Sequence, residues 1–352
     1  MKTVLTIDGG GVRGIVSALI LAEIEKRMKC PAHKLFDVIA GTSTGAFVGA
    51  LAARKSDSLE PLWAQEIVEL YRKDAKKYFK RRAFWPIAQP KFENESVKEV
   101  LQHYLGDADL KRTATRFIAP VYALRDTPPR VHYFSSLAAG QIASDNHLLW
   151  QVVRGATAAP SYFEPFDVHT ANGLFHSTVI DGGVYANNPA MLGWLHAHQS
   201  LNKSYVAMQN NTQHKFFSLD EQFDTDEKSL QETVVVSLGT GFSDRPINPD
   251  KAKKWGRLGW FFPLLDVIVE GQADQSTAEM RIAKNVKLLK YFERLQPPLA
   301  RKIKLDDVKK LPFLEEATHI FLTKDPGKTL INDVCQQLET AMPCGKQKPD
   351  LP

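Results

Sequence analysis

The chain has 352 residues, 43% hydrophobic and 24% charged, enough to bury a sizeable core in one large α/β domain or two smaller ones. Its 45 basic and 40 acidic residues leave a formal net charge of +5, too mild to argue for a nucleic-acid polymer and of the sign that favours an anionic surface. No stretch approaches the roughly 18 uninterrupted apolar residues of a membrane span, and the start lacks the cationic and apolar regions of a signal peptide.

The first fifty residues read as strand, glycine turn, helix, strand, tight turn, helix. The run from Val4 ends at Asp8, the glycines end at Gly14, and a helix follows to about Lys29 with Ile15, Ala18, Leu19 and Ala22 on one face. A second buried strand, Phe36 to Ala40, precedes Gly41-Thr42-Ser43-Thr44-Gly45, and a small-residue helix continues through Ala53. Strands alternating with helices of this length predict a parallel sheet with right-handed crossovers. Further helices are expected within 60–80, 95–104 and 147–157. Strands are expected over 117–124 and 131–135, flanking a Pro-Pro turn, and over 179–181 and 234–238. The polar stretch 200–232 reads as a surface excursion, and beyond Lys251 the chain becomes mainly helical. The fold class is therefore α/β in three layers, a mostly parallel central sheet flanked by helices. The main domain covers 1–245, and a helical C-terminal region, 246–352, packs on it.

Three motifs carry chemistry. Gly41-Thr42-Ser43-Thr44-Gly45 fits the nucleophile elbow G-x-S-x-G, with the strand before and the helix after that the motif requires. The serine then sits at a helix N-terminus, where backbone donors favour developing negative charge. Asp8-Gly9-Gly10-Gly11-Val12-Arg13-Gly14 places consecutive glycine N–H groups after a buried strand, where they can converge on an anion. This loop also satisfies the dinucleotide pattern Gly9-x-Gly11-x-x-Gly14. A nucleotide-binding module would want an acid at the end of the next strand. Asp37 lies at its start, and the end is occupied by the elbow, so an oxyanion hole is preferred. Asp181-Gly182-Gly183 ends a strand in a carboxylate whose glycines permit close approach to another loop; the plain alternative is an Asp-Gly turn.

In this order the three motifs resemble the signature of the patatin-like phospholipases. Ala158-Ala159-Pro160-Ser161-Tyr162-Phe163 and Ser237-Leu238-Gly239-Thr240-Gly241 are similar to further blocks of that family, so the likeness covers roughly residues 3 to 245. The resemblance implies a catalytic domain in which Ser43 is nucleophile and Asp181 its base in a Ser–Asp dyad. The oxyanion hole would be Gly9, Gly10, Gly11, Arg13 and Gly14, chiefly Gly10 and Gly11. Gly41, Thr42, Thr44 and Gly45 would shape the elbow, and Gly182 and Gly183 the acid loop. It implies a phospholipase A-type carboxylic ester hydrolase that cleaves acyl esters of membrane glycerophospholipids with no cofactor and no metal. A carboxylate is a weak base, so such a dyad calls for burial that raises its basicity.

A Ser–His–Asp triad on an α/β-hydrolase fold is the alternative within hydrolases; His196, His198, His214 and His319 follow the acid in sequence. His196-x-His198 reads as a helix surface pair, and no Cys/His grouping has zinc spacing. Two segments mix cations with aromatics: Lys76 to Trp85, and Lys251 to Asp266 with Trp255, Trp260, Phe261 and Phe262. Either can serve as a lid that meets anionic headgroups, against a solvated helix end packed on the core. Length and the helical C-terminus also resemble, more loosely, bacterial patatin-like effectors of anti-phage defence, which implies a cyclic dinucleotide activator. Cys30, Cys335 and Cys344 are read as free thiols of a reducing compartment. The expectation is a soluble cytoplasmic protein, peripheral at the inner membrane face when active, with a homo-oligomer left open.

Overall fold

A computed structural model of the chain describes residues 1–82, 89–125, 129–210, 223–225, 230–243 and 247–341. The central sheet contains β1 (Lys2–Ile7), β2 (Val38–Gly41), β3 (Arg116–Ala123), β4 (Arg130–Ser135), β5 (Phe166–His169), β6 (Phe175–Asp181), β9 (Thr233–Leu238) and β10 (Tyr291–Leu295). Short β7 (Gln199–Leu201) and β8 (Phe223–Thr225) pair apart from it. The order is β10-β9-β1-β2-β3-β6-β5, with β4 also on β3. β2 and β9 are buried throughout, as is β1 beyond its first residue, as expected of strands covered on both faces.

The helices that matter here are α1 (Gly14–Met28), α2 (Thr44–Ala53), α3 (Ala64–Tyr78), α4 (Asn94–Leu105), α5 (Leu149–Ala156), α6 (Ala190–His196), α7 (Arg257–Asn285), α8 (Leu311–Thr323) and α9 (Gly327–Ala341). Successive strand side chains point to opposite faces, and two cores follow from that. Leu5, Ile7, Ile39, Val234 and Val236 pack with α1 to α5, α8 and α9. Val4, Val38, Ala40, Ile118 and Val235 pack with Ala190, Trp194 and Met280 of α6 and α7. The three-layer α/β expectation holds.

Several details differ from the sequence reading. Helix α1 is not a one-faced helix: Ile15, Val16, Ala18, Ile20, Leu21 and Ile24 are all buried, while Leu19 and Ala22 are only half-buried. The cause is that α3 and α8 pack on it in addition to the sheet. The C-terminal region is not purely helical. β10 adds to β9 in parallel, and Arg294 on it makes a two-point ion pair with Asp8, at 2.5 and 3.1 Å, both side chains buried. The region after 245 thus completes the sheet. The pair His196 and His198 is buried rather than on a surface: His196 meets Ser135 Oγ (2.8 Å) and Gln199 Oε1 (2.9 Å), and His198 meets Thr233 Oγ1 (2.7 Å). Most of the stretch 211–232, together with residues 83–85, His214 and Cys344, lies outside the described residues.

The sheet is parallel from β10 to β3 and antiparallel beyond. The change of direction positions the site. β4 runs along one edge of β3 from Ile118 to Ala123. On the other edge β2 pairs up to Ile118, and β6, running the opposite way, pairs from Ala123 back to Val121. The C-terminal ends of β2 and β6 therefore point at each other across Ala119 and Pro120, so the residues that follow Gly41 confront Asp181.

Candidate active site

Ser43 occupies the turn between β2 and α2 with φ 53° and ψ −120°, a conformation that L-residues avoid unless the surroundings enforce it. The flanking glycines permit the turn. A Cβ on Gly41 would lie 2.2 Å from Gly45 O, and one on Gly45 would lie 2.1 Å from Ile7 O. Thr42 N–H donates to Ile7 O (3.0 Å), its Oγ1 to Ala186 O (2.6 Å), and Gly45 N–H to Thr42 O (2.7 Å). Thr44 bonds the Tyr71 hydroxyl on α3. The elbow is thus held from three sides, with Ser43 Oγ left for chemistry.

Asp181 ends β6 and is 4% exposed. Its carboxylate accepts from Gly183 N–H at 2.8 Å and lies close enough to the Ser43 side chain for that group to favour its charged form. Burial pushes its pKa up to about 6, and the Ser43 side chain and Gly183 N–H pull part of the way back. The result is a carboxylate more basic than an ordinary aspartate and beside the serine it would deprotonate. Gly182 and Gly183 form the one-turn segment after it, as the acid-loop reading expects.

The glycine loop divides its labour. Gly9 N–H donates to Asn187 O (3.1 Å), and Gly14 N–H to Gly11 O and Val12 O, so both donors are spent within the fold. Gly14 opens α1 against Thr44 and Tyr71. Gly10 and Gly11 line the cavity beside Ser43, and among the described residues neither N–H meets a protein acceptor. Gly11 has φ 59°, which turns the loop there. Arg13 lines the same cavity and reaches Gly10 O through Nε at 3.4 Å. Thr240, from the Ser237–Gly241 block, donates to Gly9 O (3.1 Å).

Ser43 and Asp181 open onto a cavity of about 750 Å³, within the usual range of small-molecule pockets. Its walls are mainly apolar: Phe47, Leu70, Tyr78, Phe79, Phe163 and Ile303. Tyr78 and Phe79 come from the cation-rich run after Lys76, and these two aromatics turn inward while Lys76 and Lys77 stay exposed. The rim is charged. Asp306 is paired with Lys91 and Arg81, and Lys302 bridges Asp266 (2.9 Å) and Glu270 (3.4 Å) on α7.

The competing readings find less support. Asp37 accepts from Thr3 N–H (2.8 Å) and Oγ1 (3.0 Å) before β2 begins, at the opposite end of that strand from the glycine loop. Among the described residues no histidine lines the cavity, which leaves a Ser–His–Asp triad without a base there. Sequence reasoning does not reach Asn187, Asn188 or Gln272, which brace the acid loop; the sole local signal is Asn187-Asn188-Pro189 six residues after Asp181.

An elbow serine, a buried carboxylate beside it and open glycine N–H groups at an apolar cavity are the parts of a serine acyl hydrolase. Residues 5–194 match the patatin-like phospholipase family. Patatin-like protein 4 of Arabidopsis thaliana is 31% identical over 297 residues, 78% of this chain and 70% of that one. Patatin-like protein 2 of Oryza sativa subsp. indica is 28% identical over 300 residues, covering 78% and 71% respectively. The solved structure of VipD from Legionella pneumophila aligns over 96% of this chain and 67% of that one, with 11% identity and a TM-score of 0.35. The chain belongs to the patatin-like phospholipase family, a family of lipid acyl hydrolases.

Proposed function

We propose that the chain is a phospholipase A-type enzyme that cleaves acyl esters of membrane glycerophospholipids through a Ser43–Asp181 dyad. The observation that carries this reading is the placing of Ser43 beside a buried, basic Asp181 at one apolar cavity. Ser43 Oγ attacks the ester carbonyl and passes its proton to Asp181. The Gly10 and Gly11 N–H groups receive the oxyanion, each such donor being worth about 3–4 kcal/mol of transition-state stabilisation. Collapse of the tetrahedral intermediate returns the proton from Asp181 to the leaving alcohol. Water, deprotonated by the same carboxylate, then releases the fatty acid from the acyl-enzyme. Arg13 and Lys304 on the cavity wall suit the phosphate of the substrate.

The partner surface in this reading is the inner face of a membrane. No helix of the described residues is long and apolar enough to cross one. Helix α7, which lines the cavity through Asp266, Ile268, Val269 and Glu270, exposes Trp260, Leu264 and Val267 at helical spacing. Exposed Lys251, Lys253 and Lys254 precede it, a pattern that supports interfacial adsorption to anionic lipid. The side chains of Arg257, Phe261 and Phe262 lie outside the described residues. Trp260→Ala with Leu264→Ala is expected to weaken sedimentation with phosphatidylglycerol vesicles at least tenfold, leaving hydrolysis of a soluble short-chain ester unchanged. Unchanged sedimentation would remove α7 as the docking element.

The test of the whole reading is fatty-acid release from mixed phospholipid vesicles by wild type, Ser43→Ala and Asp181→Asn. Running it with and without a panel of cyclic dinucleotides also tests the activator implied by the looser likeness to defence effectors. Release that survives Ser43→Ala would overturn the mechanism. Wild-type rates equal with and without every nucleotide would remove the switch and leave the hydrolase.

A further inference from the structure

The segment after Asp181 is held from outside, and the holding contacts converge on one side chain of α7. Gln272 Nε2 donates to Val184 O at 2.6 Å, and its Oε1 accepts from Asn187 N–H at 3.4 Å. One carboxamide thus spans both ends of the stretch 184–187. Next to it Asn188 Nδ2 donates to Thr277 Oγ1 (3.1 Å) and Ala273 O (3.4 Å), also on α7. The inner side of the same segment receives the other two motifs, since Gly9 N–H bonds Asn187 O and Thr42 Oγ1 bonds Ala186 O. Glycine loop, elbow and acid loop therefore meet on a segment whose outer side rests on α7.

We infer that Gln272 is a positioning residue for the reaction, fixing the Val184–Asn187 turn so that Asp181 stays in hydrogen-bond reach of Ser43. The inference rests on the dyad reading. The segment has little rigidity of its own, being a single 3₁₀ turn, Gly182–Val184, followed by Tyr185 and Ala186 bonding back to Gly182 O. Gly183, whose N–H orients the Asp181 carboxylate, lies inside that turn. Gln272 itself does not line the cavity; the α7 wall is formed by Asp266, Ile268, Val269 and Glu270. It acts through the loop and not on substrate. The helix that exposes the Trp260–Val267 stripe is thereby mechanically joined to the base.

The charged and ionisable surroundings are simple enough for a pH profile to read the effect. Asp181 is bordered by Ser43 and Gly183 N–H, and Tyr78 of α3 lines the same cavity, kept neutral by burial with its pKa pushed up to about 12. On α7, Asp266 and Glu270 are engaged by Lys302, with Arg13 the nearby cation. Gln272→Met keeps the side-chain length and removes both bonds; Gln272→Glu keeps the acceptor for Asn187 N–H and removes the donor to Val184 O.

In the vesicle assay Gln272→Met is expected to lower kcat at least tenfold with KM unchanged. The acid limb of its kcat profile should move below that of wild type as water reaches Asp181. Gln272→Glu should fall between the two, and it carries the test if Gln272→Met does not fold. Wild-type kcat and acid limb in the folded variants, or a change confined to KM, would overturn the assignment. Ser43→Ala and Asp181→Asn run alongside separate the two claims. If they retain release, the dyad reading fails; if they are silent while Gln272→Met behaves as wild type, only the positioning role fails.

Discussion

Fatty-acid release by Ser43→Ala is expected to fall by at least about 10³-fold, and that by Asp181→Asn by a comparable factor. The two effects should not add. Without Asp181 the serine proton loses its base: among the described residues no histidine borders the cavity, Asp266, Glu270 and Asp306 there are paired with lysines, and Asp74 is bonded by Tyr104. Without Ser43 the base has nothing to activate for acyl transfer. The double variant should accordingly match the worse single one, as found for residues that act as a unit. Asn in place of Asp keeps shape and can still accept from Gly183 N–H, so folding is preserved and the loss reports chemistry. Single-turnover release from vesicles measures it, and fluorophosphonate labelling confined to Ser43 checks the nucleophile. An additive double variant would show that the two residues work independently.

Much of this site is legible in the sequence, because its parts are local. The elbow needs a glycine on each side of Ser43 to avoid Ile7 O and its own following turn, and both glycines stand within four residues. The alternation of strand and helix up to Ala53 likewise requires no distant information. What escapes is decided by long-range pairing. That β6 runs antiparallel, and so brings Asp181 head-on to the end of β2, depends on sharing one edge of β3 around Pro120, which no window of sequence contains. β5 is four residues with half-exposed members, and looks like loop. β10 carries Glu293 and Arg294 inside a strand; the arginine makes sense only once Asp8 is known to sit opposite. His196 and His198 read as surface until their buried hydroxyl and amide partners are known. Gln272 is one glutamine on a long helix, and nothing local marks it.

The raised pKa of Asp181 makes a second large prediction, in which rate and stability move in opposite directions with pH. The rate requires the carboxylate, so kcat/KM should rise about tenfold per unit up to pH about 6 and level off above it. Stability follows linkage. The folded-state pKa, about 6, exceeds the ordinary value of 3.8, so between these pH values the folded protein holds a proton that the unfolded chain has lost. Stability from this group is then fully present below about pH 4 and is lost as pH rises through about 6. A displacement of about 2 units at a buried site corresponds to roughly 3 kcal/mol. Asp181→Asn removes the ionisation while keeping the volume. It should therefore melt several degrees above wild type at pH 8, by the usual scaling of roughly 2–4 °C per kcal/mol for larger domains, and show no such advantage at pH 4. Thermal melts of the two proteins across that range measure the difference. A gap that is constant with pH would mean that Asp181 ionises as an ordinary surface carboxylate, and the dyad would then lack the basicity its chemistry needs. A gap that opens between pH 4 and 6, with the rate rising over the same interval, would tie the destabilised carboxylate to the catalytic one, the cost in stability being the source of its basicity.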